Sequence, residues 1–186
     1  MGQDKALIPF LGRPLIQRVI QRVGGLGDEL VINTNRPEAY GFLKLPLFSD
    51  IVPARGALGG LYTALMTARH PLVAVIACDM PFAHPGLLAE ERRLLEESGC
   101  DGVIPITVHG TEPFHAVYRR ETCLPLVKAA LDAEKWRVDS WFGEASLKFM
   151  SMEDILKFDP QQLAFRNVNT PEELREAEQL AREEGR

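Results

Sequence analysis

Leu15, Ile16, Val19, Ile20 and Val23 recur at three- and four-residue intervals, with polar residues between them. That spacing lays one apolar stripe along a helix, and Gly24-Gly25 ends it. Glu29 to Thr34 (ELVINT) is instead short, apolar and β-branched, so it predicts a buried strand. A second helix is predicted from about Gly59, with Leu58, Leu61, Tyr62, Leu65 and Met66 on one face. Leu72 to Ala77 (LVAVIA) is the most hydrophobic strand pattern in the chain and is expected at the centre of a sheet. Leu87, Leu88, Leu94 and Leu95 predict a third helix, and a strand follows around Val103 to Val108. Beyond it the order becomes less regular: His109-Gly110 and the extended run Phe114 to Arg119 read as an antiparallel hairpin partner. The last helix has a full start signal, with Thr170 as N-cap, Pro171 at the first helical position and Glu173 completing a capping box.

Helical and extended patterns alternate without repeats or long linkers, which predicts a mostly parallel sheet wrapped by helices. The expected fold class is a Rossmann-like three-layer α/β/α arrangement with one antiparallel strand. With 186 residues and 46% hydrophobic content, the chain can build one large core but not two, so residues 1–186 are expected to form a single domain. No apolar run approaches the eighteen residues of a membrane span, and Gly2, Gln3, Asp4 and Lys5 do not open a secretion signal. The three cysteines, Cys78, Cys100 and Cys123, lie far apart and read as reduced thiols. A cytoplasmic location with no membrane partner is the expectation. The formal net charge of -5 argues against a nucleic-acid partner, because phosphate backbones select a basic face. Any phosphate ligand must therefore be held by a local cluster.

Two carboxylates stand where such a cluster would form. Asp79 ends the apolar strand in Ala77-Cys78-Asp79-Met80-Pro81, and open α/β sheets bind ligands beyond the carboxyl ends of their strands. A hard oxygen ligand for Mg²⁺ would sit there, and a turn aspartate capping the next helix would look the same. A haloacid-dehalogenase-type phosphatase would need a second aspartate two residues on, where this chain has Pro81. Asp50 precedes a loop with Pro53, Arg55, Gly56, Gly59 and Gly60 that opens the second helix. The free backbone N–H groups of such a helix entry can face an anion, although glycine-rich entries are commonly structural. Asn33 and Asn35 end the preceding strand, where either could read a base edge or simply shape a turn.

The N-terminal segment Met1 to Leu7 (MGQDKAL) resembles the lysine motif of the nucleotidyltransferases, which runs from a glycine-rich loop through Arg-Met-Gly to Asp-Lys. Together with GALGGLYTAL at Gly56 to Leu65, CDMPF at Cys78 to Phe82, EPFHAVYR at Glu112 to Arg119 and NVNTPEEL at Asn167 to Leu174, it resembles the molybdenum cofactor guanylyltransferases. The resemblance covers nearly the whole chain. It implies transfer of GMP from GTP to the phosphate of molybdopterin with release of pyrophosphate, using Mg²⁺. Lys5 would contact the triphosphate, Asn33 and Asp50 the guanosine, and Asp79 would hold the metal. Asn167 and Asn169 would line the molybdopterin side, though a loop before a capped helix explains them as well. Transient contacts with other molybdenum cofactor enzymes are also implied. The competing readings are a related nucleotidyltransferase using CTP or another phosphorylated acceptor, and a catalytically silent nucleotide-binding domain. Members of this family begin with a strand and a glycine-rich loop before the Met-Gly, which here is residues 1 and 2. The chain is therefore expected to show an open slot, or a break in strand pairing, beside the strand that ends at Asp79.

Overall fold

The computed structural model describes residues 4–184, so Met1, Gly2 and Gln3 of the lysine motif lie outside the described residues. A 3₁₀ turn at Lys5–Leu7 leads into the short ladder Pro9–Phe10 (β1) with Arg13–Pro14 (β2), and then into Leu15–Val23 (α1). Ile32–Asn33 (β3) pairs parallel with Leu47–Phe48 (β4), ahead of Gly56–Thr67 (α2). Leu72–Ile76 (β5), Pro85–Ser98 (α3), Gly102–Thr107 (β6), Gly110–Thr111 (β7) and His115–Arg119 (β8) follow. Arg120–Asp132 (α4), Leu147–Met150 (β9), Met152–Leu156 (α5) and Pro171–Glu184 (α6) complete the chain.

β8 lies between β5 and β6 and is antiparallel to both, while β9 runs parallel to β6 on its other side. β5, β6 and β9 thus point one way and β8 points against them. This is the expected mixed sheet with its antiparallel strand, and β7 adds a short hairpin to β6. Strand side chains alternate between the faces, so the sheet serves two cores. Val73, Val75, Ile104, Ala116 and Tyr118 pack under α2 and α4. Val103, Val117 and Met150 pack under α1, α3 and α5. Each fully buried aliphatic side chain is worth about 1.5–3 kcal/mol of transfer free energy. Among the described residues no helix is long and apolar enough to cross a membrane.

Three expectations need correction. The strand predicted over Glu29 to Thr34 shrinks to Ile32–Asn33, because only β4 pairs with it. The second helix starts at Gly56, three residues earlier than expected, and Met66 is exposed: the helix is buried through Leu58, Leu61, Tyr62 and Leu65, and Met66 lies at the margin of that face. β5 is not at the centre: it pairs with β8 alone, and among the described residues its other edge carries no strand. A cavity of about 560 Å³ fills the gap between β5 and β3, walled by Ile16, Val19 and Ile20 of α1 and reaching Asp79. Isolated strand edges leave backbone donors and acceptors unpaired, and among the described residues β5 presents such an edge to this slot.

Candidate active site

The carboxyl end of β5 opens into the turn that carries Asp79. Five contacts hold that turn. The Val168 N–H donates to the Asp79 carbonyl at 2.9 Å, and the Met80 N–H donates back to Ala77 at 3.4 Å. Arg18 and Arg22 of α1 donate to the carbonyls of Pro81 and Ala83 at 3.3 and 2.9 Å. At the far end the His84 N–H donates to His115 Nε2 at 3.1 Å. Met80, Phe82 and Ala83 are buried beneath the turn. The Asp79 carboxylate therefore stands on a fixed base at the sheet's edge.

Lys5 reaches this carboxylate from the N-terminal side. Its Nζ stands 4.0 Å from Asp79 Oδ2 and donates to Asn169 Oδ1 at 2.6 Å. Asp4 caps the turn under Lys5 by accepting from the Ala6 N–H at 3.3 Å. Tyr40 is buried beside Asp4, and that burial, with the neighbouring carboxylate, raises its hydroxyl pKa. Burial likewise raises the Asp79 carboxyl above its ordinary value, while Lys5 and a backbone N–H pull the other way. Asn169 is placed by the capping box of α6: Glu173 accepts from the Asn169 and Thr170 N–H groups, and Thr170 Oγ1 accepts from the Glu173 N–H at 3.1 Å. Asn167 lines the same cavity, and its buried Oδ1 has no hydrogen-bond partner among the described residues.

A second polar cluster sits across the slot. Asp50 accepts from Asn33 Nδ2 at 3.0 Å and from Asn35 Nδ2 at 2.7 Å, and its own N–H donates to Asn35 Oδ1 at 2.9 Å. This ring of side chains ties the ends of β3 and β4 together. Asn33 also faces α2, 3.5 Å from the Gly60 carbonyl. Gly59 is required there, since a Cβ would lie 2.9 Å from Arg55 Cβ and 3.2 Å from the Val52 carbonyl. Ala54 and Gly56, at φ 58° and 53°, both take the left-handed conformation in the loop opening α2. For alanine that is strain, of the kind that concentrates at functional loops.

The structure thus brings Lys5 and Asp79 together, brings Asn33 and Asp50 together, and lines one cavity with Asn33 and Asp79. No group of three or more His, Cys, Asp or Glu side chains able to enclose a metal occurs among the described residues. A single carboxylate suits Mg²⁺, which keeps much of its water and takes the remaining oxygens from a substrate's phosphates. The fit is to that hard ion and not to zinc, which needs three or four protein ligands. Sequence reasoning missed Arg18 and Arg22. Their four-residue spacing on the polar face of α1 was visible, but the carbonyls they reach are 63 and 61 residues away.

A mixed sheet with helices on both faces and a lysine and an aspartate at the carboxyl end of its β5 strand defines an α/β nucleotidyltransferase fold. The solved structures agree: molybdopterin-guanine dinucleotide biosynthesis protein A from Archaeoglobus fulgidus is similar with a TM-score of 0.84 at 24% identity, covering 98% of this chain and 92% of that one. The 2-C-methyl-D-erythritol 4-phosphate cytidylyltransferase of Thermus thermophilus is similar with a TM-score of 0.70 at 14% identity, over 96% and 94% of the two chains. The chain belongs to the MobA-like NTP transferase domain family, which it matches over residues 1–145. Its relatives include the probable molybdenum cofactor guanylyltransferase of Peptoclostridium acidaminophilum, 32% identical over 99% of this chain and 85% of that protein. The molybdenum cofactor guanylyltransferase of Desulfosudis oleivorans is 32% identical over 95% of this chain and 87% of its own length.

Proposed function

We propose that this protein transfers GMP from GTP to the phosphate of molybdopterin, giving the guanine dinucleotide cofactor and pyrophosphate. The observation that carries the reading is the apposition of Lys5 and Asp79 at 4.0 Å, at the mouth of a cavity whose other wall bears Asn33. An oxygen of the acceptor phosphate attacks the α-phosphorus of GTP, and the bond to the bridging oxygen of pyrophosphate breaks. The nucleophile is already an anion near neutral pH, because a phosphate monoester loses its second proton near pH 6. No basic side chain is required. What the reaction needs is positioning and neutralisation of charge on the phosphates.

Lys5 supplies one positive charge on a capped turn, and its exposed ammonium exchanges Asn169 for a phosphate oxygen when GTP arrives. Asp79 would hold Mg²⁺, which supplies Lewis-acid stabilisation of the developing charge. Asn33 and Asp50 face the guanosine: guanine offers N–H donors to a carboxylate, and the amide of Asn33 is held in place by Asp50. Asn167 and Asn169 line the acceptor side, and the unpartnered Asn167 Oδ1 supports a donor arriving from the ligand. The whole chain acts as one domain, in the cytoplasm, with transient hand-over contacts to other molybdenum cofactor enzymes. The test is release of pyrophosphate from GTP with Mg²⁺ and molybdopterin. Turnover that prefers CTP would move the chain to a related transferase. Nucleotide binding without turnover on any phosphorylated acceptor would make it a silent binding domain.

A further inference from the structure

Glu91 of α3 and His115 of β8 are both completely buried and face each other, with Glu91 Oε1 3.0 Å from His115 Nδ1. Neither touches the proposed substrate side chains, and two ionisable groups in an apolar core are costly unless they are used. The backbone fixes how they are used. The His84 N–H points at His115 Nε2 at 3.1 Å, so Nε2 must present a lone pair and cannot carry a proton. The ring proton is then on Nδ1 and is donated to Glu91 Oε1. Glu91 Oε2 has no partner among the described residues. The carboxyl therefore makes one directed bond, and burial raises its pKa to about 7.

His84 is the joint between the Asp79 turn and α3. Its N–H is held by His115, while its ring Nδ1 accepts from the Leu87 N–H at 3.2 Å and caps the helix. We propose that Glu91 and His115 are positioning residues for the metal-binding turn: Glu91 locks the His115 tautomer, and the lone pair thus held on Nε2 pins His84 and sets where Asp79 stands. The proposal rests on the reading of Asp79 as the metal ligand. A proton on Nε2 would oppose the His84 N–H and release that end of the turn, so the pair has only one productive arrangement. Edge contact with Phe165, at 5.1 Å between centroids, keeps the ring in plane for it.

The test has two arms. Long-range ¹H–¹⁵N correlation spectra of the ¹⁵N-histidine-labelled protein at neutral pH should show His115 as the neutral Nδ1–H tautomer; an Nε2–H tautomer or an imidazolium overturns the proposal. In the second arm, Mn²⁺ binding with a non-hydrolysable GTP analogue is followed by counting the free ion by electron paramagnetic resonance. Glu91→Gln still accepts the Nδ1 proton and should bind Mn²⁺ within about twofold of wild type. Glu91→Met leaves that proton without an acceptor and should weaken Mn²⁺ by on the order of tenfold, the low end for groups that orient metal ligands. A folded Glu91→Met protein with wild-type Mn²⁺ affinity refutes the positioning role. Asp79→Asn, run alongside, separates the two readings. If it too binds Mn²⁺ normally, the metal assignment is what fails, and the purpose given to the pair falls with it. Should Glu91→Met not fold, the wild-type spectra still decide whether the lock exists.

Discussion

Asp79→Asn keeps the shape of the side chain and removes its charge, and its effects on stability and on function should point in opposite directions. In the free protein the carboxylate is close to energetically neutral. Its attraction to Lys5 at 4.0 Å is about 4 kcal/mol gross at an effective dielectric of 20. Because the ammonium is 41% exposed, solvent screening leaves a net value of about 0–1 kcal/mol. Burial acts against this and wins, since the carboxyl pKa is raised. An acid with a raised folded pKa is most compatible with folding when protonated, so its penalty is present above that pKa and disappears as pH falls through it. At pH 7.5 the ligand-free Asp79→Asn variant should melt at or slightly above the wild-type temperature, and the difference should close on acidification. With saturating GTP and Mg²⁺ the order reverses. A ligand at 100 times its Kd adds about 2.7 kcal/mol, or roughly 5–10 °C for a chain of this size, and the variant should lose most of that gain. Turnover should fall by at least on the order of 10²–10³. Scanning fluorimetry with and without ligand, beside a pyrophosphate assay, reads all of these. A variant that keeps Mg²⁺-dependent turnover, or that melts several degrees low without ligand, would show that Asp79 is a structural turn residue.

Lys5→Ala should lower kcat by about 10²–10³ with a smaller loss of nucleotide affinity, and an unchanged kcat would reduce Lys5 to a surface residue. Asp50→Ala frees the amides of Asn33 and Asn35, and should cut the preference for GTP over CTP by about tenfold, the worth of one or two hydrogen bonds; a competition panel of nucleotides measures it. Thr170→Ala removes the cap of α6 at a cost of about 1 kcal/mol, read as a melting shift of about 2–4 °C.

Local signals account for what was legible in the chain. Thr170, Pro171 and Glu173 marked the start of α6 because a capping box is a contact over three residues, and the structure makes both of its bonds. The stripe from Leu15 to Val23 gave α1 to the residue. What failed was non-local. Leu72–Ile76 reads as a central strand on hydrophobicity, yet its place in the sheet depends on which strands pair with it, and only β8 does. Arg120–Asp132 hid behind Pro125, whose missing N–H argues against a helix interior; burial of Cys123, Val127, Ala130 and Leu131 overrides that local cost. The EPFHAVYR segment was visible as a motif, but the partner that gives His115 its meaning is 24 residues upstream on another element.

The two sides of the slot are built to different tolerances, and the difference matches what each would have to do. The Asp79 turn is held through main-chain groups by α1, β8 and the chain just before α6, so its position is determined several times over. The Asn33 side rests on a ladder of two residues per strand, closed by one carboxylate holding two amides. Neutralising charge on a transferring phosphoryl group is effective only where the neutralising groups are already in place, because any reorganisation during the reaction adds to the barrier. Recognising a base makes no such demand: side chains that close around guanine after it binds can still reject a competitor, at some cost in affinity. On the proposed reading, the turn held by more contacts is the one whose displacement would raise the barrier, and the lightly held ladder is on the side that would receive the base.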